Sequence, residues 1–200
     1  MQVTAADADT FGALAASVLA APPRLGTTRL VCVDGPAGSG KTTFGGRLAA
    51  ALAAPLVHMD DVYAGWTMTG ATDRLAEGVL LPLSAGRPGA YRRYDWARAA
   101  FVPEPTAVPV ADALVVEGCG SAPRVWDRFT TLRVWVEAPA ALRLRRGLQR
   151  DGAELRAEWL RWQEEEAAVF AAEDTRARAD LRVDGAAPVP DAEDGFTRLD

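Results

Sequence analysis

The stretch VCVDGPAGSGKTTFGGRLAA, Val31 to Ala50, decides the fold. It holds Lys41, the only lysine among the 22 basic residues of the chain; every other one is arginine. The run RLVCVD, Arg29 to Asp34, is short, apolar and β-rich, and TTFGGRLAAALAA reads as a helix that Gly45 and Gly46 weaken locally. Between them, Gly35-Pro36-Ala37-Gly38-Ser39-Gly40-Lys41-Thr42 matches G-x-x-x-x-G-K-[ST] in full, placed after a strand and before a helix as the motif requires. Glycines let successive N–H groups turn inward around a phosphate without Cβ clashes. The helix N-terminus adds partial positive charge. A lysine ammonium is a compact, mobile point charge that follows β- and γ-phosphates where a planar guanidinium fits poorly. Thr42 offers a hydroxyl for Mg²⁺. The residues from Gly35 to Thr43 therefore predict a nucleoside triphosphate site.

Outward from this motif, PLVHMD (55–60), ALVVEG (113–118), LRVWVEA (132–138) and ADLRVDG (179–185) are further short apolar runs separated by helical or irregular segments. That is the pattern of a parallel sheet covered on both faces. The spacing predicts one α/β domain over residues 1–200, a three-layer α/β/α fold with about five parallel strands. Asp9 and Thr10 are placed to cap a first helix from Phe11 to about Ala21, within an N-terminal segment 1–28, and Pro22-Pro23 stops it. Residues 140–174 read as two helices broken near Asp151-Gly152. The Pro-rich acidic tail, 186–200, is expected to be loosely held.

The 200 residues carry 49% hydrophobic and 24% charged side chains with a net charge of −5. These values suit a globular chain and speak against a dedicated nucleic-acid binder. Cys32 and Cys119 lie in or beside apolar runs without CxxC spacing, so they are expected as buried free thiols in a reducing compartment. The N-terminal apolar run lacks a basic flank, and no stretch reaches the ~20 apolar residues of a membrane span. The expectation is a cytoplasmic protein acting on a small molecule, away from membranes.

The chain beyond the phosphate motif narrows the class. A guanine-reading NKxD signature needs a second lysine, which the chain does not have. The second apolar run ends in HMDDVYAGW, and strand C-termini face the ligand crevice of a parallel sheet. Asp60 is thus placed to take the proton of an attacking hydroxyl, with Asp61 the structural member of the pair. His58, two residues earlier, falls on the same side of an extended strand; it either orients Asp60 or packs. Arg143, Arg146 and Arg150, at i, i+3 and i+7, share one helix face, with Leu144 and Leu148 on another. Such a helix reads either as a solvated arginine face or as a lid that offers guanidiniums to a polyphosphate and anchors itself by leucines; Arg146 and Arg150 are the strongest lid candidates. Trp159, Trp162 and Phe170 read as core packing or as an aromatic wall, and Glu164, Glu165 and Glu166 as a solvated face. Tyr91 to Tyr94 suit either an acceptor pocket or a surface loop.

Taken together, these residues resemble the uridine kinase family of P-loop kinases, alongside phosphoribulokinase and bacterial pantothenate kinase. Asp60 with Tyr63 is similar to the family's base motif, and Tyr94-Asp95-Trp96 to its Tyr-Asp-aromatic triplet. Glu117 in LVVEG resembles the glutamate that reaches the metal, and LRLRRGLQRD the arginine lid. The resemblance spans Leu30 to Gly185. A histidine that comes after the triplet in uridine kinases has no counterpart in YDWARAAF. The resemblance implies transfer of the γ-phosphoryl group of ATP, with Mg²⁺ on Thr42 and Glu117, to a hydroxyl activated by Asp60. It implies an acceptor held by Tyr63, Tyr94, Asp95 and Trp96, with a nucleoside such as uridine or cytidine first. The alternatives are pantothenate, a sugar or a sugar phosphate, or a nucleotide-binding regulatory module without transfer.

Overall fold

A computed structural model describes residues 10–187 and 194–200. Helix α1 (Phe11–Ala20) starts where Thr10 Oγ1 accepts the Ala13 N–H at 3.1 Å and ends just before Pro22; Asp9 lies outside the described residues. Strand β1 (Arg29–Asp34) and helix α2 (Lys41–Ala51) flank the Gly-rich loop, and β2 (Leu56–His58) comes after them. Helices α3 (Ala71–Leu75) and α4 (Leu81–Ser84) join through a wide helical turn, Ala76–Leu80. An antiparallel hairpin, β3 (Gly89–Asp95) with β4 (Ala100–Val108), comes next. The chain continues through β5 (Ala113–Glu117), β6 (Thr130–Glu137), α5 (Ala140–Asp151), α6 (Arg156–Glu173), α7 (Thr175–Arg178) and β7 (Leu181–Asp184).

The five strands of the main sheet run parallel in the order β2-β5-β1-β6-β7. Because side chains alternate across a strand, β1 sends Leu30 and Cys32 to one face and Val31 and Val33 to the other. β5 does the same with Leu114 and Val116 against Ala113 and Val115. The first face packs on residues of the α3–α4 segment and Trp162 of α6, the second on α1, α2 and Phe196. Both faces are covered, which is why the strands read as continuous apolar runs rather than alternating ones. This is the expected three-layer α/β/α architecture.

Three elements differ from expectation. The hairpin was not legible as strand, because β4 carries Pro103 and Pro105, residues excluded from central strands and tolerated at a free edge. The tail is docked where it is described. Asp184 N–H donates to Thr197 O and Leu199 N–H to Arg182 O, each at 2.9 Å, and Phe196 is buried; residues 188–193 lie outside the described residues. On α5 the buried residue is Gly147, while Leu144 and Leu148 are half-exposed. The lid is therefore anchored by close backbone approach to Trp159 rather than by leucines.

That contact yields a test. A Cβ at Gly147 would sit 2.5 Å from Trp159 Cη2. The indole is pinned by its Nε1–H donating to Asp151 Oδ2 at 3.0 Å. Alanine gains about 1 kcal/mol of helix propensity, but overpacking costs about 1–3 kcal/mol when the neighbour cannot move. Gly147→Ala is predicted to lower the melting temperature by about 2–6 °C. A raised melting temperature in a thermal scan would show that the α5–α6 contact is loose.

Candidate active site

The phosphate loop is built as its sequence requires. Gly38 has φ +78°, and a Cβ there would meet the Arg143 carbonyl at 2.6 Å, so glycine is needed for both reasons. Ala37, Gly38, Gly40, Lys41, Thr42 and Thr43 line the main cavity, of about 490 Å³. Gly35, Pro36 and Ser39, also expected to bind nucleotide, do not line it. Lys41 is buried; its Nζ donates to Pro36 O at 2.9 Å and approaches Cys119 Sγ at 3.5 Å. Burial opposes its charge, yet Cys119, Glu117, Glu166 and Asp34 around it outweigh that and hold its pKa above the usual lysine value. Cys32 and Cys119 are free and buried, as expected, and burial pushes the Cys32 thiol up to about 12.

Two buried carboxylates that sequence reasoning passed over hold the loop from behind. Asp34 Oδ1 accepts the Gly35 N–H at 2.7 Å and the Gly120 N–H at 2.8 Å, and Oδ2 accepts the Ala122 N–H at 2.9 Å. Glu166, expected on a solvated face, is 2% exposed. Its Oε2 accepts the Ala37 N–H at 2.7 Å, and its Oε1 pairs with Arg143 Nη1 at 2.9 Å. The sequence did carry a signal for it: Trp159, Trp162 and Glu166 stand at i, i+3 and i+7, and all three are the buried residues of α6.

At the strand ends, Glu117 closes β5 and is buried, with Thr42 Oγ1 donating to its Oε1 at 3.2 Å. His58 Nδ1 lies 2.6 Å from the same oxygen, and that bond raises the pKa of the imidazole. Of the two readings of His58, orienting Asp60 or packing, the first is not met, since its partner is Glu117. β2 ends at His58 and Asp60 sits in a short 3₁₀ turn, Met59–Asp61, so the two-residue strand period no longer governs it. Asp60 is open to the cavity but enclosed by its walls. That desolvation, with the charge of Glu117, raises its pKa above the ordinary carboxylate value. Asp61 Oδ2 accepts from Tyr91 Oη at 3.1 Å.

A hydroxyl and one carboxylate, Thr42 and Glu117, are hard oxygen donors that suit Mg²⁺, which keeps waters and takes phosphate oxygens for its other positions. Among the described residues no cluster of three or more His, Cys, Asp or Glu forms a complete protein cage.

The rest of the cavity is aromatic. Trp66, which sequence reasoning missed, lies 5.8 Å from Trp96, 6.2 Å from Trp159 and 6.1 Å from Trp162, each pair edge-to-face. All four indoles line the cavity with Asp60 and Glu117. Tyr63 lines it too, but with its ring alone: it is buried and its hydroxyl donates to Cys119 O at 2.7 Å. Of the expected triplet only Trp96 reaches the cavity, its Nε1–H donating to Asp60 O at 3.2 Å. Tyr94 supports Trp96 from behind at 5.5 Å. Asp95 is spent on the hairpin turn, accepting from the Ala97 and Arg98 N–H groups at 3.0 Å.

The three lid arginines divide their work. Arg143 locks onto Glu166 and the Ala138 carbonyl and does not line the cavity. Arg146 Nη1 joins Gly38 O at 3.2 Å to Gly185 O at 3.0 Å at the cavity wall. Arg150 lies at the mouth, bonded to Asp151 and 5.7 Å from the Trp159 ring.

No protein-family model matches the chain, and no curated protein matches its sequence. Among solved structures it is similar to a possible uridine kinase from Bacillus stearothermophilus, with a TM-score of 0.63 at 19% identity over 86% of this chain and 96% of that one. It is also similar to a provisionally named fructose transport system kinase from Silicibacter sp. TM1040, with a TM-score of 0.60 at 24% identity over 86% and 98%. The fold is that of the P-loop nucleotide-binding α/β/α proteins. It is the fold of these two structures. No helix among the described residues is long and apolar enough to cross a membrane.

Asp34 gives a pH test. Burial pushes its carboxyl up to about 6 from the ordinary 3.8, and the Gly35, Ala122 and Gly120 N–H groups limit the rise. An acid whose folded pKa is raised stabilises the fold in its protonated form. That contribution is whole below about pH 4 and is lost as pH rises through about 6. It amounts to about 3 kcal/mol. Asp34→Asn does not titrate, so the wild-type-minus-variant unfolding free energy is predicted to fall by about that amount between pH 4 and pH 7. Urea titrations at four pH values read it; a flat difference would mean the carboxylate is not perturbed.

Proposed function

We propose that this chain is an ATP-dependent kinase of a small hydroxylated acceptor. The observation that carries the reading is the single cavity that joins the phosphate loop at Lys41 to the Asp60 carboxylate and a wall of four indoles. The loop N–H groups and Lys41 hold the β- and γ-phosphates. Thr42 and Glu117 would hold Mg²⁺, which when bound would supply charge neutralisation on those phosphates. Asp60 aligns the acceptor hydroxyl and takes its proton as the new O–P bond forms and the β–γ bridge breaks. Its raised pKa places it nearer neutrality than an ordinary carboxylate, and activity is lost as pH falls through it. Arg146 and Arg150 face the transferring group.

The acceptor proposed first is a nucleoside, uridine or cytidine, whose flat base stacks on Trp66 and Trp96. A sugar or a sugar phosphate is the second reading, since indole faces also take the apolar faces of sugars, and one structural relative carries a fructose transport kinase name. A coupled ADP-release assay over nucleosides, sugars, sugar phosphates and pantothenate decides between them; no stimulation by any acceptor would favour a nucleotide-binding module without transfer.

Asp60→Asn keeps shape and removes the basic oxygen, so kcat is predicted to fall by about 10²–10⁴-fold with ATP affinity little changed. Asp61→Asn, which loses a bond to Tyr91, is predicted to cost much less. Turnover and calorimetry on both variants check this, and a dead Asp61→Asn beside an active Asp60→Asn would move the base.

Lys41→Arg keeps the charge and is predicted to impair transfer sharply. Nζ is buried between Pro36 O and Cys119 Sγ, a space without room for a planar fork. Wild-type turnover in the variant would refute the geometric argument.

A further inference from the structure

We propose that His58 is the positioning residue of Glu117: its imidazole fixes the carboxylate that would hold Mg²⁺, and so sets how tightly the site takes the metal. The inference rests on the nucleotide and metal reading above. It adds a residue that does not itself line the cavity. β2 and β5 are neighbours in the sheet, and His58 and Glu117, the last residue of each, are register partners. Their side chains therefore stand on one side of the sheet, within reach of each other. A carboxylate oxygen accepts, so Nδ1 carries the proton of the 2.6 Å bond to Glu117 Oε1.

Glu117 is held on three sides. Thr42 Oγ1 donates to the same Oε1 at 3.2 Å, and a Cβ on Gly45 of α2 would sit 3.0 Å from the Glu117 Cβ and 3.2 Å from its Cγ. The stem of the side chain thus packs on bare helix backbone. Both donors go to Oε1. Among the described residues Oε2 has no hydrogen-bond partner, and Glu117 lines the cavity. Of the two donors, Thr42 is itself proposed to give its oxygen to the metal, and a hydroxyl turns about its C–O bond. The imidazole donates along one direction in its ring plane. It has no second task, since among the described residues its other ring nitrogen makes no hydrogen bond. A ligating carboxylate owes its orientation to such a partner, and loss of the partner typically weakens metal binding about 10- to 100-fold.

The test reads metal binding rather than turnover. Calorimetry would follow ADP binding without metal and across a Mg²⁺ series, on the wild type, His58→Leu and His58→Asn, with a thermal scan of each. Leucine keeps bulk and removes the donor, whereas the asparagine amide restores an N–H close to the place of Nδ1. His58→Leu is expected to raise the Mg²⁺ concentration that half-saturates the ADP complex about 10-fold or more, with metal-free ADP binding within about twofold. His58→Asn is expected to recover most of that loss. His58→Ala carries the same expectation as leucine, should the leucine variant fail to fold. An unchanged Mg²⁺ demand in His58→Leu, an equal loss in His58→Asn, or equal weakening of metal-free ADP would overturn the proposal. A wild type that binds ADP with or without Mg²⁺ alike would overturn the metal assignment, and one that binds no ADP the nucleotide reading; either result takes this proposal with it.

Discussion

A loop that offers N–H groups to a polyphosphate cannot spend all of them on its own carbonyls, so something else must hold its shape. Here two buried carboxylates do so. Asp34 accepts the first N–H of the loop, and it ties down the turn after β5 through Gly120 and Ala122. Glu166 reaches from α6 to the Ala37 N–H, and its second oxygen holds Arg143 of the lid helix. One pair of side chains thus fixes the loop relative to β1, β5, α5 and α6. Breaking a buried ion pair by removing one partner typically costs about 3–5 kcal/mol, so the Arg143–Glu166 contact weighs heavily on the placement of the lid.

The same carboxylates set the electrostatics of Lys41. A buried ammonium is unfavourable alone; with Glu117, Glu166 and Asp34 close by, it stays charged in the absence of a nucleotide. The lone lysine therefore stands where burial, fixed anions and a tight loop together demand a compact cation.

The central sheet and the phosphate loop were legible because each imposes residue types locally. Left-handed φ at Gly38 demands glycine, and strands covered on both faces demand unbroken apolar runs. Asp60 was legible as a strand-end carboxylate, but its pairing was not, because β2 stops at His58 and the chain turns before Asp60. Glu166 was misread from its neighbours: inside Glu164-Glu165-Glu166 composition says solvent, whereas helical spacing from Trp159 and Trp162 says core. The triplet Tyr94-Asp95-Trp96 shows the limit of motif reading, since one residue reaches the cavity, one supports it and one makes a turn. Trp66 left no local signal; it sits in an irregular loop, and only the tertiary fold brings it against three other indoles.

The two flanks of the cavity differ in the kind of work they suit. The flank after β2 and β5 carries the titratable groups, Asp60 and Glu117, among indoles that exclude water and strengthen the fields between charges. The flank towards β7 carries the phenyl rings of Phe11, Phe44 and Phe196 and the Arg47 guanidinium, whose charge stays constant across ordinary pH. Arg146 spans them, bonded at once to the Gly38 carbonyl of the loop and the Gly185 carbonyl after β7. In that position Arg146 fastens the end of the last strand to the loop, so that any movement of α5 is felt at both ends of the cavity.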